Sequence, residues 1–184
     1  MDSSSKIRIM HIVQSPGGVH KYLQLLLAHL DSRYYENILI CAHDYPVKDY
    51  EAIINQIEQV KMYRTISCND LCALLKIRRL IKKYTPDIIY CHSSKGGALG
   101  RLASIGIKGK AKIIYNPHGW SFNMKCSRVK RIFFTFVERY LARLTDRIVV
   151  ISKAEKITAL KRKICAENKI ILIYNGIYIT HFIN

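Results

Sequence analysis

Three short turns hold most of the residues in this chain that could do chemistry: Ser15–Gly18, His92–Gly97 and Asn116–Trp120. Each turn follows a short β-branched run, and the first two lead straight into a helical pattern. In a parallel α/β sheet, all strand-to-helix turns lie at one edge, where ligands bind. Glycines there let the backbone approach a ligand, and helix N-termini offer free N–H groups to anions. The three turns therefore predict a cleft for a phosphate-bearing ligand.

Gly17 and Gly18 open the first predicted helix, where backbone amides could meet a diphosphate. They lack the full G-x-G-x-x-G spacing, and the second predicted strand runs into Cys41–His43 rather than into an acidic residue that would hold a ribose. This pattern disfavours a nicotinamide-dependent dehydrogenase. A Gly-Gly pair after a strand is also common in plain tight turns, so a binding loop and a simple turn both stay open.

The second turn, His92–Gly97, combines an imidazole, two hydroxyls, an ammonium and two glycines in six positions. Hydroxyls and backbone amides such as those of Ser94 suit sugar or phosphate oxygens, and Lys95 supplies a point charge for a phosphate. The alternative interpretation is a capped helix start with no ligand.

The third turn places His118 between Pro117 and Gly119 at the end of a strand. A histidine held on such a stiff turn could hydrogen-bond a substrate hydroxyl or assist proton movement. A purely structural histidine is the alternative, although the position at the strand end favours function.

Several other chemistries lack their reagents. The sequence contains no Asp-x-Asp for a metal-bound nucleotide, no Asp or Glu in the three turns for glycoside hydrolysis, and no Gly-x-Ser-x-Gly nucleophile turn. The six cysteines form no Cys-x-x-Cys pair, which disfavours a zinc site and is typical of reduced thiols. We therefore expect no metal and no cofactor.

Composition predicts a single domain of 184 residues with one sizeable core, since 49% of the residues are hydrophobic. No apolar stretch reaches the roughly 18 residues of a spanning helix. The net charge of +17 is uneven, because residues 101–163 hold 16 basic and 3 acidic side chains, against 13 and 9 in residues 1–100. The basic half suits an anionic lipid, a nucleic acid or a phosphorylated substrate, and an ordinary solvated basic surface stays open as well.

The turns must be positioned by alternating strands and helices. The predicted strands are Lys6–Val13, Asn37–Ala42, Lys61–Thr65, Asp87–Cys91, Lys112–Tyr115, Arg147–Ile151 and Lys169–Tyr174. The predicted helices are Val19–Leu30, Tyr50–Gln59, residues 69–84, Ala98–Ile105, Val129–Leu144 and Lys153–Lys163. Short, almost continuously apolar strands indicate helices on both faces of the sheet. The fold class predicted is therefore α/β, a single Rossmann-like domain with a mostly parallel sheet.

The longest predicted helix, Val129–Leu144, has an apolar stripe broader than one buried face requires. Four cations cluster at its start: Lys125, Arg128, Lys130 and Arg131. Basic and aromatic side chains at one helix end suit an anionic bilayer surface. A core helix with a solvated flank is the alternative, and the sequence favours it slightly.

Taken in order, these residues resemble the N-terminal domain of family 4-like glycosyltransferases with the GT-B fold. The matching segments are Gln14–Val19, Asp87–Ala103, Pro117–Phe122, Val137–Ser152 and Asn175–Ile177. The chain is most similar to the sugar transferases of bacterial capsule and exopolysaccharide synthesis. The resemblance implies one half of a two-domain enzyme, in which residues 1–174 form the first domain and 175–184 begin the interdomain linker. It also implies that the C-terminal donor-binding domain is absent, and Tyr178 stands where the family usually has an Asp.

The resemblance further implies a nucleotide-sugar donor, a lipid-linked sugar acceptor and no metal. The implied site residues are His118 as the catalytic residue on the transferred sugar, Gly17, Gly18 and Gly119 on the donor, and Ser94 and Lys95 on the acceptor. We expect little turnover by the chain alone, and a cytoplasmic location with peripheral contact to the inner face of the plasma membrane. The alternative is a non-catalytic, membrane-associated subunit that pairs with a separate donor-binding chain. Nucleic-acid binding is disfavoured, because most aromatic residues fall on predicted core stripes.

Overall fold

The computed structural model describes residues 6–107 and 111–176, and within them seven parallel strands form one sheet. The strands are β1 Ile7–Val13, β2 Tyr35–Ala42, β3 Gln56–Val60, β4 Ile88–His92, β5 Lys112–Asn116, β6 Arg147–Val150 and β7 Ile170–Leu172. The α-helices are α1 Gly17–His29, α2 Asn69–Tyr84, α3 Ser94–Ala103, α4 Arg128–Ala142 and α5 Lys153–Lys161. In the strand order β3-β2-β1-β4-β5-β6-β7, successive strands are added to one side of β1 up to β3 and to its other side from β4 onward. The predicted fold class is confirmed, and the switch point between β1 and β4 marks where ligands bind in such sheets.

Helices cover both faces of the sheet, as the apolar strands predicted. Leu39 and Cys41 of β2 pack in a cluster with α1, whereas Ile38 and Ile40 belong to a second cluster with the other helices. Successive strand residues point to opposite faces, so α1 lies on one face and α2 to α5 contribute to the other. The α1 cluster is Val13, Val19, Leu23, Leu27, Leu39, Cys41, Tyr45, Tyr50 and Ile54.

The segment after β2 differs from the prediction. The predicted helix Tyr50–Gln59 is wrong, since a short 3-10 turn over Val47–Tyr50 is followed by the edge strand β3 at Gln56–Val60. The predicted strand Lys61–Thr65 lies in the loop after it. The backbone of β3 is paired with β2, for example Leu39 with Ile57. This pairing across the chain outweighs the local helical pattern.

Helix α3 begins at Ser94, four residues earlier than predicted, so Gly96 and Gly97 lie within the helix rather than in a loop. A Cβ on Gly97 would lie 2.4 Å from the Tyr115 ring, and one on Gly96 would lie 2.9 Å from the Ile12 carbonyl oxygen. These two glycines therefore let α3 pack closely against the sheet.

Helix α4 turns most of its apolar stripe outward. Val129, Ile132, Phe133, Phe136 and Tyr140 are all at least half exposed. The inward face instead carries polar residues, above all a glutamate that pairs with a buried arginine of α3. The slightly favoured prediction of a core helix is therefore wrong for most of this stripe. The apolar side chains of α4 that pack inward are Phe134, which is partly buried, and Leu141 and Ala142 at the C-terminal end.

The buried pair that fixes α4 joins Arg101 to Glu138. Arg101 donates from Nη2 to Glu138 Oε2 at 3.0 Å and from Nε to the Gly97 carbonyl at 2.8 Å. The Tyr115 hydroxyl donates to the other carboxylate oxygen of Glu138 at 2.8 Å, and the guanidinium stacks on the Tyr115 ring. A buried arginine needs such partners, and their position determines which face of α4 points inward.

Candidate active site at the carboxyl edge of the sheet

Three histidines from three different strands or strand ends lie together near the switch point. His11 lies in β1, His92 ends β4, and His118 follows β5. The parallel register pairs His11 with Tyr90, so His11 and His92 point to the same face. His11 Nδ1 lies 3.4 Å from His92 Nε2, and His92 Nδ1 lies 3.1 Å from His118 Nε2. The three rings therefore form one continuous hydrogen-bonded row.

The turn that carries His118 is held in an uncommon conformation. His118 has a φ of 49°, and Gly119 has a φ of 99°. Residues other than glycine rarely adopt this left-handed backbone conformation. At His118 it is stabilised by a hydrogen bond from the His118 N–H to Asn116 Oδ1 at 3.1 Å. The turn is thus fixed by its own asparagine, and the half-buried imidazole is a rigid part of the site.

Helix α1 packs against the histidine row through the side chain of Tyr22. The Tyr22 ring meets the His118 ring edge-on, with 4.7 Å between centroids. The Tyr22 hydroxyl lies 2.7 Å from the Tyr90 hydroxyl, and the Tyr90 ring packs 4.3 Å from that of His92. Gly18 precedes Tyr22 by four residues and so lies on the same side of the helix. The contact thereby brings the start of α1 toward His118.

The glycines predicted to meet the donor are open. Nothing lies within 4 Å of a Cβ built on Gly17, Gly18 or Gly119. The N-cap residue of α1 is Pro16, whose side chain has no polar atom that could cap the helix. The first amides of a helix also have no partner within the helix, so those of α1 are left for a ligand or solvent. In contrast with Gly96 and Gly97, these glycines leave backbone accessible to a ligand.

Burial keeps the histidine row uncharged. It lowers the pKa of both His11 and His118 to about 4. The pKa of His92 is lowered well below 6.5, first by burial and then by repulsion from His118 and His11. Within the described residues, no carboxylate bonds to any of the three rings. At neutral pH these side chains therefore act as neutral hydrogen-bonding groups.

Ser94 and Lys95 lie apart from this row. Lys95 forms an ion pair with Asp70 at the start of α2 and donates to the Thr65 carbonyl at 3.0 Å. Ser94 interacts with the Tyr115 hydroxyl, whose ring belongs to the core on the α2 side of the sheet. His118 and Gly119 share one turn, and Tyr22, one helical turn after Gly18, contacts His118. Lys95, in contrast, has internal partners. An acceptor role for Ser94 and Lys95 stays a prediction.

Several members of the site were not selected from the sequence: His11, Tyr22, Asn37 and Tyr90, with His92 noted only as part of its turn. One signal was present, because His11 is a polar residue inside an otherwise apolar strand. Its partners follow only from the register of β1 against β4 and β2. Among the described residues, no group of three His, Cys, Asp or Glu is arranged to hold a metal ion.

An open parallel sheet with glycine-rich backbone and a ring cluster at its switch point defines a Rossmann-like ligand-binding domain. Residues 16–181 match the model of Glycosyltransferase Family 4, and the chain belongs to that family.

Known proteins support this assignment. The chain is 28% identical over 182 residues to the UDP-Gal:alpha-D-GlcNAc-diphosphoundecaprenol alpha-1,3-galactosyltransferase of Escherichia coli, covering 97% of this chain and 47% of that protein. It is 32% identical over 130 residues to the O-antigen biosynthesis glycosyltransferase WbnH of Escherichia coli, covering 71% and 36% respectively. A glycosyltransferase from Rickettsia africae has the same fold, with a TM-score of 0.72 and 20% identity over 97% of this chain and 45% of that one. The chain thus spans less than half the length of these relatives.

Proposed function

We propose that this chain is the N-terminal, acceptor-side domain of a glycosyltransferase in polysaccharide biosynthesis. The enzyme would transfer a sugar from a nucleotide-sugar donor to a lipid-linked acceptor. Family membership supports this proposal, as does the likeness to an Escherichia coli protein named for UDP-galactose and a diphosphoundecaprenol-linked sugar.

The observation that carries the proposal is the position of His118 beside open glycine backbone. A neutral imidazole on a rigid turn can hydrogen-bond a sugar hydroxyl without adding charge. The open amides at the start of α1, at Gly17 and Gly18, suit the donor diphosphate, because a helix N-terminus favours anions. Gly119 leaves space beside the imidazole for the sugar.

The edge that carries these groups forms one wall of a cleft in this proposal, and polypeptide outside residues 1–184 supplies the other. Closing two domains around donor and acceptor excludes water and completes the set of catalytic groups. Backbone amides and basic side chains would stabilise the leaving diphosphate, so the mechanism requires no metal.

Helix α4 supports a peripheral contact with an anionic bilayer. Its exposed apolar side chains form one stripe, and exposed cations at the helix start, such as Arg128 and Lys130, flank it. Apolar side chains can enter the headgroup boundary while the cations meet anionic lipids. None of the described helices is long and apolar enough to cross a membrane. We propose that this stripe holds the domain beside its lipid-linked acceptor.

The test is a transfer assay with UDP-galactose and a short-chain alkyl-diphosphate GlcNAc acceptor. The chain alone should give no product above background. The same chain fused to the C-terminal half of the Escherichia coli galactosyltransferase should transfer galactose. In that fusion, His118→Ala should lower kcat/KM by about twofold to tenfold, because a hydrogen bond between neutral groups contributes roughly 0.5–1.5 kcal/mol.

His43→Ala is the matched control, since His43 is exposed and lies outside the row. Robust transfer by the 184-residue chain alone would contradict the need for a second wall. A folded fusion that transfers nothing would overturn the proposed function. Transfer that appears only after a separate donor-binding protein is added would instead support the two-chain alternative.

A further inference from the structure

The histidine row has a fixed end in β2. Asn37 Oδ1 lies 3.2 Å from His11 Nε2, on the side of the ring away from His92. Four side chains thus follow one another from β2 through β1 and β4 to the turn after β5: Asn37, His11, His92 and His118. The register of β1 with both neighbouring strands sets this row, pairing Ile9 with Asn37.

A row of neutral imidazoles has a direction. An amide oxygen can only accept, so His11 must donate from Nε2, and its Nδ1 then carries a lone pair. His92 must donate from Nε2 to that lone pair, which leaves His92 Nδ1 as an acceptor. His118 must in turn donate from Nε2. The lone pair at the end of the row therefore lies on Nδ1 of His118.

We infer that Asn37, His11 and His92 are positioning residues that fix the ring orientation and tautomer of His118, so that its Nδ1 is presented as a hydrogen-bond acceptor to a sugar hydroxyl. The part that concerns the sugar rests on the proposed function. The part that concerns the tautomer rests on the geometry of the free chain alone.

The surroundings of the row favour this neutral, directional state. The polar side chains that contact the rings are the phenols of Tyr22 and Tyr90 and the amide of Asn37. The Asn116 amide oxygen accepts from the backbone N–H of His118. In the part of the chain that the structure describes, no ion pair reaches His11, His92 or His118. An imidazolium in the row would lack a counter-charge, and two neighbouring rings could not both donate to each other. His118 thus serves as a fixed acceptor, and it is a poor carrier of protons at neutral pH.

The tautomers can be read directly by long-range 1H–15N correlation spectra of the 15N-labelled chain at pH 7.5, without ligand. Assignments come from single His→Gln variants. The expected result for the unmodified chain is Nε2–H at His11, His92 and His118. An Nδ1–H form of His118 would overturn the inference. The variants serve only to assign the signals, and the tautomers are read in the unmodified chain.

The sharper test reverses the direction of the row from its far end. Asn37→Lys replaces an acceptor with a group that can only donate, so each ring should switch and His118 should become Nδ1–H. Ser32→Lys adds the same charge in an exposed turn and should leave His118 unchanged. An Asn37→Lys protein that is folded by circular dichroism but keeps Nε2–H at His118 would show that Asn37 does not set the tautomer of His118.

Addition of UDP-galactose to the fusion protein separates the two proposals. A shift of the His118 Nδ1 signal in the parent fusion, lost in the Asn37→Lys fusion, supports both. If the tautomers are as expected but the His118 signal does not respond to UDP-galactose, the inference about the tautomer holds and the proposed function is contradicted.

Discussion

The guanidinium of Arg101 and the carboxylate of Glu138 form a 3.0 Å hydrogen bond inside the core, where both side chains are nearly inaccessible to solvent. The pair joins α3 to α4 across 37 residues of sequence. It also explains why the apolar stripe of α4 points outward, because the helix must turn its glutamate toward the arginine.

Removing one partner of this pair should be strongly destabilising. Glu138→Ala leaves a buried cation without its counter-charge, and we expect a loss of about 3–5 kcal/mol in the free energy of unfolding. Urea titration followed by circular dichroism measures this loss. Glu51→Ala, at an exposed position, is the control and should change stability by less than about 0.5 kcal/mol. A Glu138→Ala protein as stable as that control would show that Glu138 does not neutralise a buried Arg101.

The neutral histidine row should make the fold sensitive to acid. The folded-state pKa of His11 and of His118 is about 4, below the ordinary value of 6.5, so the unfolded chain takes up protons first as the pH falls. Stability is then fully present above about pH 6.5 and is lost as the pH falls toward 4. At pH 5 one such ring costs roughly 2 kcal/mol relative to pH 7.5.

Urea titrations at pH 7.5 and pH 5.0 measure this effect. His11→Gln should show a smaller difference between the two pH values than the unmodified chain, by about 2 kcal/mol. His43→Gln supplies the comparison for losing a histidine outside the row. An equal pH dependence in His11→Gln and the unmodified chain would show that the ring is not buried as a neutral group.

Two glycine substitutions should have opposite effects. Gly97→Ala places a methyl group 2.4 Å from the Tyr115 ring and should destabilise the chain by about 1–3 kcal/mol or more. Gly18→Ala meets open space in the first turn of α1 and should leave stability unchanged or raise it by up to about 1 kcal/mol. Thermal unfolding distinguishes them. If Gly18→Ala proves the more damaging variant, the start of α1 is not open.

The exposed stripe of α4 should carry membrane binding. Replacing Ile132 and Phe136 with serine removes two large apolar side chains that are 62% and 66% exposed. Since each contributes roughly 1.5–3 kcal/mol on full burial, binding to vesicles with anionic lipid should weaken at least tenfold. Cosedimentation measures the partition coefficient, and added salt should weaken it further. Leu71→Ser, an exposed apolar position on α2, is the matched control. Equal binding by the control and the double variant would contradict this role for α4.

Much of the fold follows from local pattern. Short apolar runs ending in glycine- or proline-containing turns predict β1, β2, β4 and β5 and the edge at which the turns meet, since a buried parallel strand must be apolar on both faces. The edge strand β3 was missed because its hydrogen bonds come from β2 and its own residues alternate with polar ones. Helix α2 shows the same limit, because the apolar residues Leu71 and Leu75 are exposed while Ala73 and Ile77 are buried.

The sequence by itself determined most of the strands and helices outside the segment between β2 and α2, the strand ends at which the three motifs lie, and the position of His118 between a proline and a glycine, because these depend on neighbours within a few residues. Only the tertiary structure decided that His118 is bonded to His92 and through it to His11, that Lys95 is paired with Asp70, and that α4 turns a glutamate inward. Those relationships join residues between 25 and 81 positions apart. Hydrogen-bond and charge partners at such separations are set by strand register and helix packing, which no local pattern specifies.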